Sequence, residues 1–311
     1  MFQDILVPLD GSSRAEQVLP IAARLAQVTD GTVSLFQAVW PPSAYMASVG
    51  EVVLPDVIDE SVPAAKAYLE SVAKQSSLES VRTETRVVIG HPAEAIIRAA
   101  NEDNTGLVVI CSHGYTGQMR WAMGSIAEKV ARHVPSPVFI LYEDCALLTE
   151  KAAFPHGSVR ILVPLDGSQH AEVSITKAAM LATALSAPAH GQLHLTRVVS
   201  PTGREVSSLD EELERTGLYL RTIIERMQHH RPGDMSVPPD LVLTWSITVA
   251  DDVASGIMQA AEGSERGEVA ASCQVIAMTA HGRSDKQLWS LGSTTERVLQ
   301  AARKPLFIVH W

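Results

Sequence analysis

The chain has 311 residues, about twice the usual size of one domain, so two hydrophobic cores are expected. Hydrophobic residues make up 46% and charged residues 19% of it, a composition that can bury enough apolar surface to fold. The formal net charge of -10 opposes binding to phosphate backbones or anionic lipids. Neither nucleic acid nor a membrane is therefore expected as a partner.

The N-terminus and the cysteines indicate the compartment. The first residues lack the basic and apolar regions of a signal peptide, and no apolar run reaches the roughly 18 residues that span a bilayer. Cys111, Cys145 and Cys273 are odd in number and form no CxxC pair, so neither a disulfide framework nor a zinc site is indicated. A cytoplasmic location is the expectation.

An internal repeat organises the chain. The segment ILVPLDGS at residues 5–12 recurs unchanged at residues 161–168. A second match, S/A-H-G followed by nine residues and Gly-Ser, relates residues 112–125 to residues 280–293. We therefore expect two copies of one domain in tandem.

The boundaries follow from the last match and from composition. A short apolar block at residues 137–140 and again at residues 305–308 closes each copy. The stretch between the copies contains Pro155 and Gly157, which are typical of linkers. The prediction is domain one at 1–143, a linker at 144–158 and domain two at 159–311.

Short apolar runs alternate with longer amphipathic segments in each copy, a pattern typical of parallel strands joined by helices. The runs are rich in Val, Ile and Leu, which suits a sheet covered on both faces. The predicted fold class is α/β, two tandem doubly wound parallel sheets with helices on both faces. In copy one the strands are expected at residues 5–9, 33–39, 85–89, 107–111 and 138–141.

Chemistry-bearing residues follow the strands that begin each copy. Asp10 and Asp166 come directly after them, and ligands of doubly wound folds bind beyond the carboxyl ends of the strands. Either aspartate would serve a bound ligand, or it would be the N-cap of the following helix, before Ser12 or Ser168. The residues leave both interpretations open.

A second cluster predicts an anion site. In each copy Gly-Ser opens a helix, and free backbone N–H groups at a helix start attract phosphate. Ser125 with Glu128, and Ser293 with Glu296, match the S-x-x-E capping box, so the alternative is that each serine only caps its helix. The adjacent glycines would allow a close backbone approach or a left-handed backbone.

The strand that ends in Asp-Gly-Ser, together with S-H-G-x(9)-G-S, resembles the universal stress protein family. Nucleotide-binding members of that family carry G-x-x-G-x(9)-G-[S/T]. The resemblance covers nearly the whole chain, twice, and implies five parallel strands per domain in the order 3-2-1-4-5. It implies adenosine-binding residues Asp10, Val39, Asp166 and Val199. It also implies phosphate-binding residues Cys111, Gly114, Gly124, Ser125, Thr279, Gly282, Gly292 and Ser293.

One position departs from the family motif. Where the family motif has its first glycine, copy one has Cys111 and copy two has Thr279. If the backbone at that position is left-handed, a β-branched residue such as threonine is strained. The Cys111 thiol would face a helix start and is expected to be reactive, the alternative being a buried small hydrophobe that does not react. His113 and His281 beside the motif are more typical of structural hydrogen bonding than of catalysis.

The implied function is cytoplasmic binding of ATP, with Mg²⁺, by a stress-response or signalling protein. Its partners would be the adenine nucleotide and a protein not identified by the sequence, in a homodimer of the tandem chain. The first alternative is a nucleotide-free scaffold that acts through protein contacts. The second is a slow ATP hydrolase, which is weaker because no residue pattern indicates a group that orients water. No catalytic residue and no metal ligand is assigned.

Overall fold

A computed structural model describes residues 2–40, 54–113, 123–143, 145, 147, 157–202, 206–229, 237–263, 271–282 and 291–310. The chain divides into two compact units, Met1–Glu143 and Asp144–Trp311. Each unit has its own sheet and its own buried core, and each is described by itself. No helix in the described ranges is long and apolar enough to cross a bilayer.

Unit one alternates strands and helices along the chain. Its strands are β1 Asp4–Pro8, β2 Thr32–Val39, β3 Arg82–Ile89, β4 Leu107–Cys111 and β5 Val138–Leu141. Its described helices are α1 Ser13–Glu16, α2 Leu19–Thr29, α3 Leu54–Val72, α4 Pro92–Glu102 and α5 Ser125–His133. A single 3-10 turn, Ser76–Leu78, precedes β3.

The strands of unit one pair in parallel in the order β3-β2-β1-β4-β5. Strands β4 and β5 are buried at every residue, as expected for strands covered on both faces. The doubly wound fold and the strand order implied by the family resemblance are confirmed.

The largest difference between the expected and the observed strand boundaries lies at the start of β3, and it has a physical cause. Strand β3 begins at Arg82, three residues before the predicted start, and pairs with β2 from its first residue to its last. It is the outer strand of its sheet, so polar and apolar residues mix along it. An apolar run therefore marks only its second half.

Unit two repeats the arrangement. Its strands are β6 Arg160–Pro164, β7 Gln192–Val199, β8 Val242–Val249, β9 Val275–Thr279 and β10 Leu306–Val309, and they pair in parallel in the order β8-β7-β6-β9-β10. Its described helices are α6 Gln169–Ser186, α7 Val206–His229, α8 Val253–Glu262 and α9 Ser293–Ala301. One long helix, α6, follows the first strand, whereas unit one has α1 and α2 there, with Pro20 near the start of α2.

Candidate functional site

The turn after the first strand of unit one holds Asp10 in a fixed position. Gly11 has a φ of 85°, a left-handed conformation that reverses the chain without a side-chain penalty. Oδ1 of Asp10 accepts hydrogen bonds from Ser12 N at 3.0 Å and Ser12 Oγ at 2.6 Å. Ser12 in turn caps α1, since its Oγ accepts from Ala15 N at 3.2 Å. The N-cap is thus Ser12, and Asp10 braces the turn.

Unit two builds the same turn. Gly167 also has a φ of 85°, and Asp166 Oδ1 accepts from Ser168 N at 2.8 Å. Ser168 caps α6 through a hydrogen bond from Ala171 N to its Oγ at 3.1 Å. The interpretation of the aspartates as N-caps is therefore wrong in both units. Each carboxylate is held at the carboxyl edge of its sheet.

Glycines, not serines, cap the helices that follow the fourth strands. Gly124 is the N-cap of α5 and Gly292 is the N-cap of α9. Ser125 and Ser293 are the first helical residues, and both are exposed. The capping-box interpretation is wrong for both helices because each helix begins one residue earlier than that motif requires. A glycine N-cap has no side chain to bond the N–H groups of the first turn.

The glycine caps pack against backbone. Gly124 N donates to the Ser112 carbonyl at 2.8 Å, and Gly292 N donates to the Ala280 carbonyl at 2.8 Å. A Cβ at position 124 would lie 2.6 Å from the Ser112 oxygen, which is closer than real Cβ contacts allow. The φ values of Gly124 and Gly292 are -67° and -60°, so neither has a left-handed backbone, and at position 124 the close approach is what requires glycine.

The two clusters meet in unit two. A Cβ on Gly282 would lie 2.6 Å from Oδ2 of Asp166, so the loop after β9 touches the carboxylate that follows β6. Strands β6 and β9 are neighbours in the sheet, which brings their carboxyl ends together. The aspartate and the glycine loop therefore form the two sides of one cleft.

Each unit has such a cleft at this edge, and most of the expected site residues line it. Cleft one contains Asp10, Cys111, Gly124 and Ser125, with Phe36 and Ala38 among its apolar residues. Cleft two contains Asp166, Thr279, Gly282, Gly292 and Ser293. Val39 and Val199 are not among the described lining residues, where Ala38 and Val198 stand instead. Gly114 lies outside the described residues.

The departure from the family motif causes no backbone strain. Cys111 ends β4 and Thr279 ends β9, and both are buried strand residues. Among the described non-glycine residues only Asp30 and Asn104 have positive φ. The left-handed backbone at which Thr279 would be strained is absent from that position.

Burial controls the titratable groups of cleft one. It lowers the pKa of His113, and the nearby Arg14 guanidinium adds to that effect, so the imidazole is neutral at pH 7. The Nδ1 atom of His113 lies 3.1 Å from Ser112 Oγ. Asp10 is the one acidic residue among the described lining residues of cleft one, which include no lysine or arginine.

Cys111 is not the reactive thiol that its position near a helix start suggests. Its exposed fraction is 6%, and burial, reinforced by Glu143 and Asp10, raises the pKa of the thiol. The dipole at a helix start acts over about one turn, and loss of solvent outweighs it here. Cys145 and Cys273 are likewise buried, and none of the three cysteines is in a disulfide.

Sequence reasoning missed a tyrosine–glutamate pair that occurs in both units. Tyr68 in α3 donates to Oε1 of Glu16 at 3.0 Å, and its phenolic oxygen accepts from the backbone N–H of Gly11. Oε2 of Glu16 accepts from Gln75 Nε2 at 2.7 Å. The pair thus ties α3 to the turn that carries Asp10.

Unit two contains the same hydrogen bond between a tyrosine and a glutamate. Tyr219 in α7 donates to Oε1 of Glu172 at 3.0 Å, and Arg226 donates to Oε2 at 3.2 Å. Partners some 50 residues apart leave no local motif. The signal that could have found them is the tandem repeat itself, which aligns Glu16 with Glu172.

The described residues contain no group of three or more His, Cys, Asp or Glu side chains that could hold a metal ion. The geometry instead offers one carboxylate, a glycine-capped helix start and exposed serine hydroxyls at each cleft. Such a site can bind hydroxyl groups at the carboxylate and an anion at the helix start. The fold and the two similar clefts define a tandem α/β protein with a candidate binding site in each unit.

Comparison with known proteins assigns the family. The model of the Universal stress protein family matches residues 1–141 and 158–310, so the chain belongs to that family and carries its domain twice. A universal stress protein of Mycolicibacterium smegmatis is 26% identical over 312 residues, covering 98% of this chain and 96% of the relative.

A solved structure of a universal stress protein shares the fold along the whole chain. A universal stress protein from Archaeoglobus fulgidus matches with a TM-score of 0.65 and 19% identity over 100% of this chain and 99% of its own. Another universal stress protein, solved in complex with cAMP, covers 45% of this chain and 97% of its own, with 22% identity and a TM-score of 0.30. None of these names mentions a catalytic activity.

The close approach at Gly124 predicts a stability effect. Gly124→Ala should destabilise the chain by about 1–3 kcal/mol, because the new methyl group must displace a backbone carbonyl. Gly157→Ala is the control, since a Cβ there meets nothing within 4 Å, and it should change stability by about 0.5 kcal/mol or less. Urea unfolding followed by circular dichroism measures both. Equal stability of the two variants would contradict the packing described for Gly124.

The burial of the cysteines predicts slow labelling. In the native chain at pH 7.5, an aromatic disulfide reagent should modify Cys111 much more slowly than a free thiol, because the thiol is buried and its pKa is raised. Addition of urea should expose all three cysteines to rapid reaction. Residue-resolved mass spectrometry reports each site, and rapid native labelling of Cys111 would refute its placement.

Proposed function

We propose that the chain is a cytoplasmic stress-response protein that binds ATP with Mg²⁺, one nucleotide in each cleft, and signals occupancy to a partner protein. Each site belongs to one of the domains 1–143 and 159–311, which the linker 144–158 joins. A homodimer of the tandem chain stays a prediction. One observation carries the proposal. Both halves of the chain place an aspartate and a glycine-capped helix start at the carboxyl ends of their strands, although their sequences have diverged.

The helix starts suit the phosphates. Helices α5 and α9 each present uncapped first-turn N–H groups and the positive end of the helix dipole to the cleft. Ser125 and Ser293 are exposed at the same ends, where their hydroxyls can donate to phosphate oxygens or meet the Mg²⁺ ion. These groups recognise an anion without using a charged side chain.

The aspartates suit the ribose. The turn occupies Oδ1 of Asp10 with two hydrogen bonds, which fixes the direction of the carboxylate. A carboxylate accepts hydrogen bonds only, so it selects a ligand with hydroxyl groups. Phe36, Ala38 and Ile96 supply apolar surface for the base in cleft one. The choice of adenine rests on membership of the family and not on a contact in the cleft.

A nucleotide-free scaffold is the alternative, and the loss of the first motif glycine is its support. Because Cys111 and Thr279 are the last residues of β4 and β9, their own backbone is extended, a conformation that cysteine and threonine adopt without strain. The departure therefore removes no feature on which the proposed phosphate site depends.

A charge-removing pair of variants tests the proposal. Asp10→Asn keeps an oxygen that can accept from Ser12 but removes the negative charge, so it should weaken ATP binding in unit one about tenfold, the loss of one hydrogen bond to a charged group. Asp30→Asn makes the same charge change on a side chain that is 99% exposed, and its left-handed backbone (φ 50°) tolerates asparagine. Calorimetric titration with ATP and MgCl₂ should leave Asp30→Asn like the original chain.

Two results would count against the proposal. If the original chain binds no ATP at millimolar concentration, the nucleotide-free scaffold replaces it. If ATP binds but Asp10→Asn and Asp30→Asn bind it equally well, the nucleotide lies elsewhere than at the aspartate.

A further inference from the structure

The two clefts differ by an arginine. Position 197 of β7 corresponds to position 37 of β2, as Arg197 pairs with Ile247 and Gln37 pairs with Val87 in the same register. Arg197 lines cleft two together with Asp166. Gln37 is not among the described lining residues of cleft one.

The guanidinium group of Arg197 contacts two side chains of α7. Its NH2 group donates to Glu212 Oε1 at 3.4 Å, and its guanidinium carbon lies 5.7 Å from the centre of the Tyr219 ring. The other oxygen of Glu212 accepts from Arg215 at 3.2 Å, so Glu212 divides its charge between two arginines. A guanidinium has five N–H groups, and the Glu212 contact uses one of them. The side chain is 18% exposed.

The charged residues near Asp166 also differ from those at the aligned positions near Asp10. The aligned sets are Asp166, Glu172, Arg197, Glu212, Arg215 and Arg226 in unit two, and Asp10, Glu16, Gln37, Ser61, Ala64 and Gln75 in unit one. The set in unit two holds three carboxylates and three guanidinium groups, whereas the aligned positions in unit one hold two carboxylates and no cation. Arg14 also lies near cleft one, but it forms an ion pair with Glu143 at 3.2 Å.

We propose that cleft two takes an adenylate that carries a further phosphate on its ribose, at the 2′ or the 3′ position, while cleft one takes an adenylate with free ribose hydroxyls. The proposal rests on the proposed function, which sets the ribose beside the aspartate. In doubly wound nucleotide sites a carboxylate pairs with a ribose hydroxyl, and an arginine nearby accommodates a ribose phosphate.

The charges of the two clefts favour a ribose phosphate in cleft two and not in cleft one. A guanidinium can donate two parallel hydrogen bonds to a phosphate, and these are stronger than bonds between neutral groups. In cleft one the same phosphate would approach the carboxylate of Asp10, and the position that corresponds to Arg197 holds the uncharged Gln37. The simpler interpretation is that Arg197 and Glu212 form only a structural ion pair.

Calorimetry with matched ligands separates these cases. The ligands are adenosine 5′-monophosphate, adenosine 2′,5′-bisphosphate and adenosine 3′,5′-bisphosphate, which share the base and the 5′-phosphate. In the original chain one site should bind one of the bisphosphates about tenfold more tightly than the monophosphate. The other site should show no such preference.

Arg197→Gln places the unit-one residue in unit two and should abolish the preference, leaving the monophosphate affinity within about threefold. Arg221→Gln is the control, because Arg221 lies on exposed α7 surface over the Trp245 ring at 5.6 Å and does not line the cleft. It should keep the preference. The ratio of affinities is the readout, since a purely structural loss would weaken all three ligands alike.

The outcomes are distinct. Equal affinity for the three ligands in the original chain, or a preference that survives Arg197→Gln, would overturn the assignment while the proposed function stands. A parallel loss of all three affinities in Arg197→Gln would show that the Arg197–Glu212 pair is only structural. If no adenylate binds the original chain, the proposed function fails and this assignment fails with it.

Discussion

The hydrogen bond from Gly124 N–H to the Ser112 carbonyl, repeated by Gly292 and Ala280, sets the geometry of each candidate site. It brings the start of a helix against the turn after the fourth strand, with no side chain between them. The helix start then faces the cleft with N–H groups that no side chain of the N-cap bonds. Because the first and fourth strands are neighbours, the braced aspartate lies on the opposite side of the same opening.

That constraint explains which parts of the site the sequence could predict. The Asp-Gly-Ser turn and the Gly-Ser helix start are local, so their residues can be recognised from spacing, and the tandem repeat shows each of them twice. The doubly wound fold follows from alternating apolar runs and amphipathic segments. For Gly124 the sequence left a close backbone approach and a left-handed backbone both open, since only the structure shows that its neighbour is the carbonyl of Ser112.

Other features depend on distant partners. Tyr68 reaches Glu16 across 52 residues, and nothing near either residue marks the contact. The reactivity of Cys111 was mispredicted because burial opposes the effect of a helix start, and burial is a property of the packed unit. The serine caps were mispredicted for a smaller reason, since a one-residue shift of a helix start changes which residue is the cap.

The internal repeat also makes each unit a reference for the other. Features that both units keep, such as the braced aspartate and the tyrosine–glutamate pair, describe what the clefts have in common. Features that differ, such as Arg197 opposite Gln37, describe how the two clefts have diverged.

The central claim is that each unit binds one adenine nucleotide, and native mass spectrometry of the whole chain with ATP and MgCl₂ counts them directly. We expect a species that carries two nucleotides per chain. In Asp10→Asn, the species with one nucleotide should predominate at ATP concentrations that fill both sites of the original chain. A chain that keeps its unliganded mass at saturating ATP would contradict the claim.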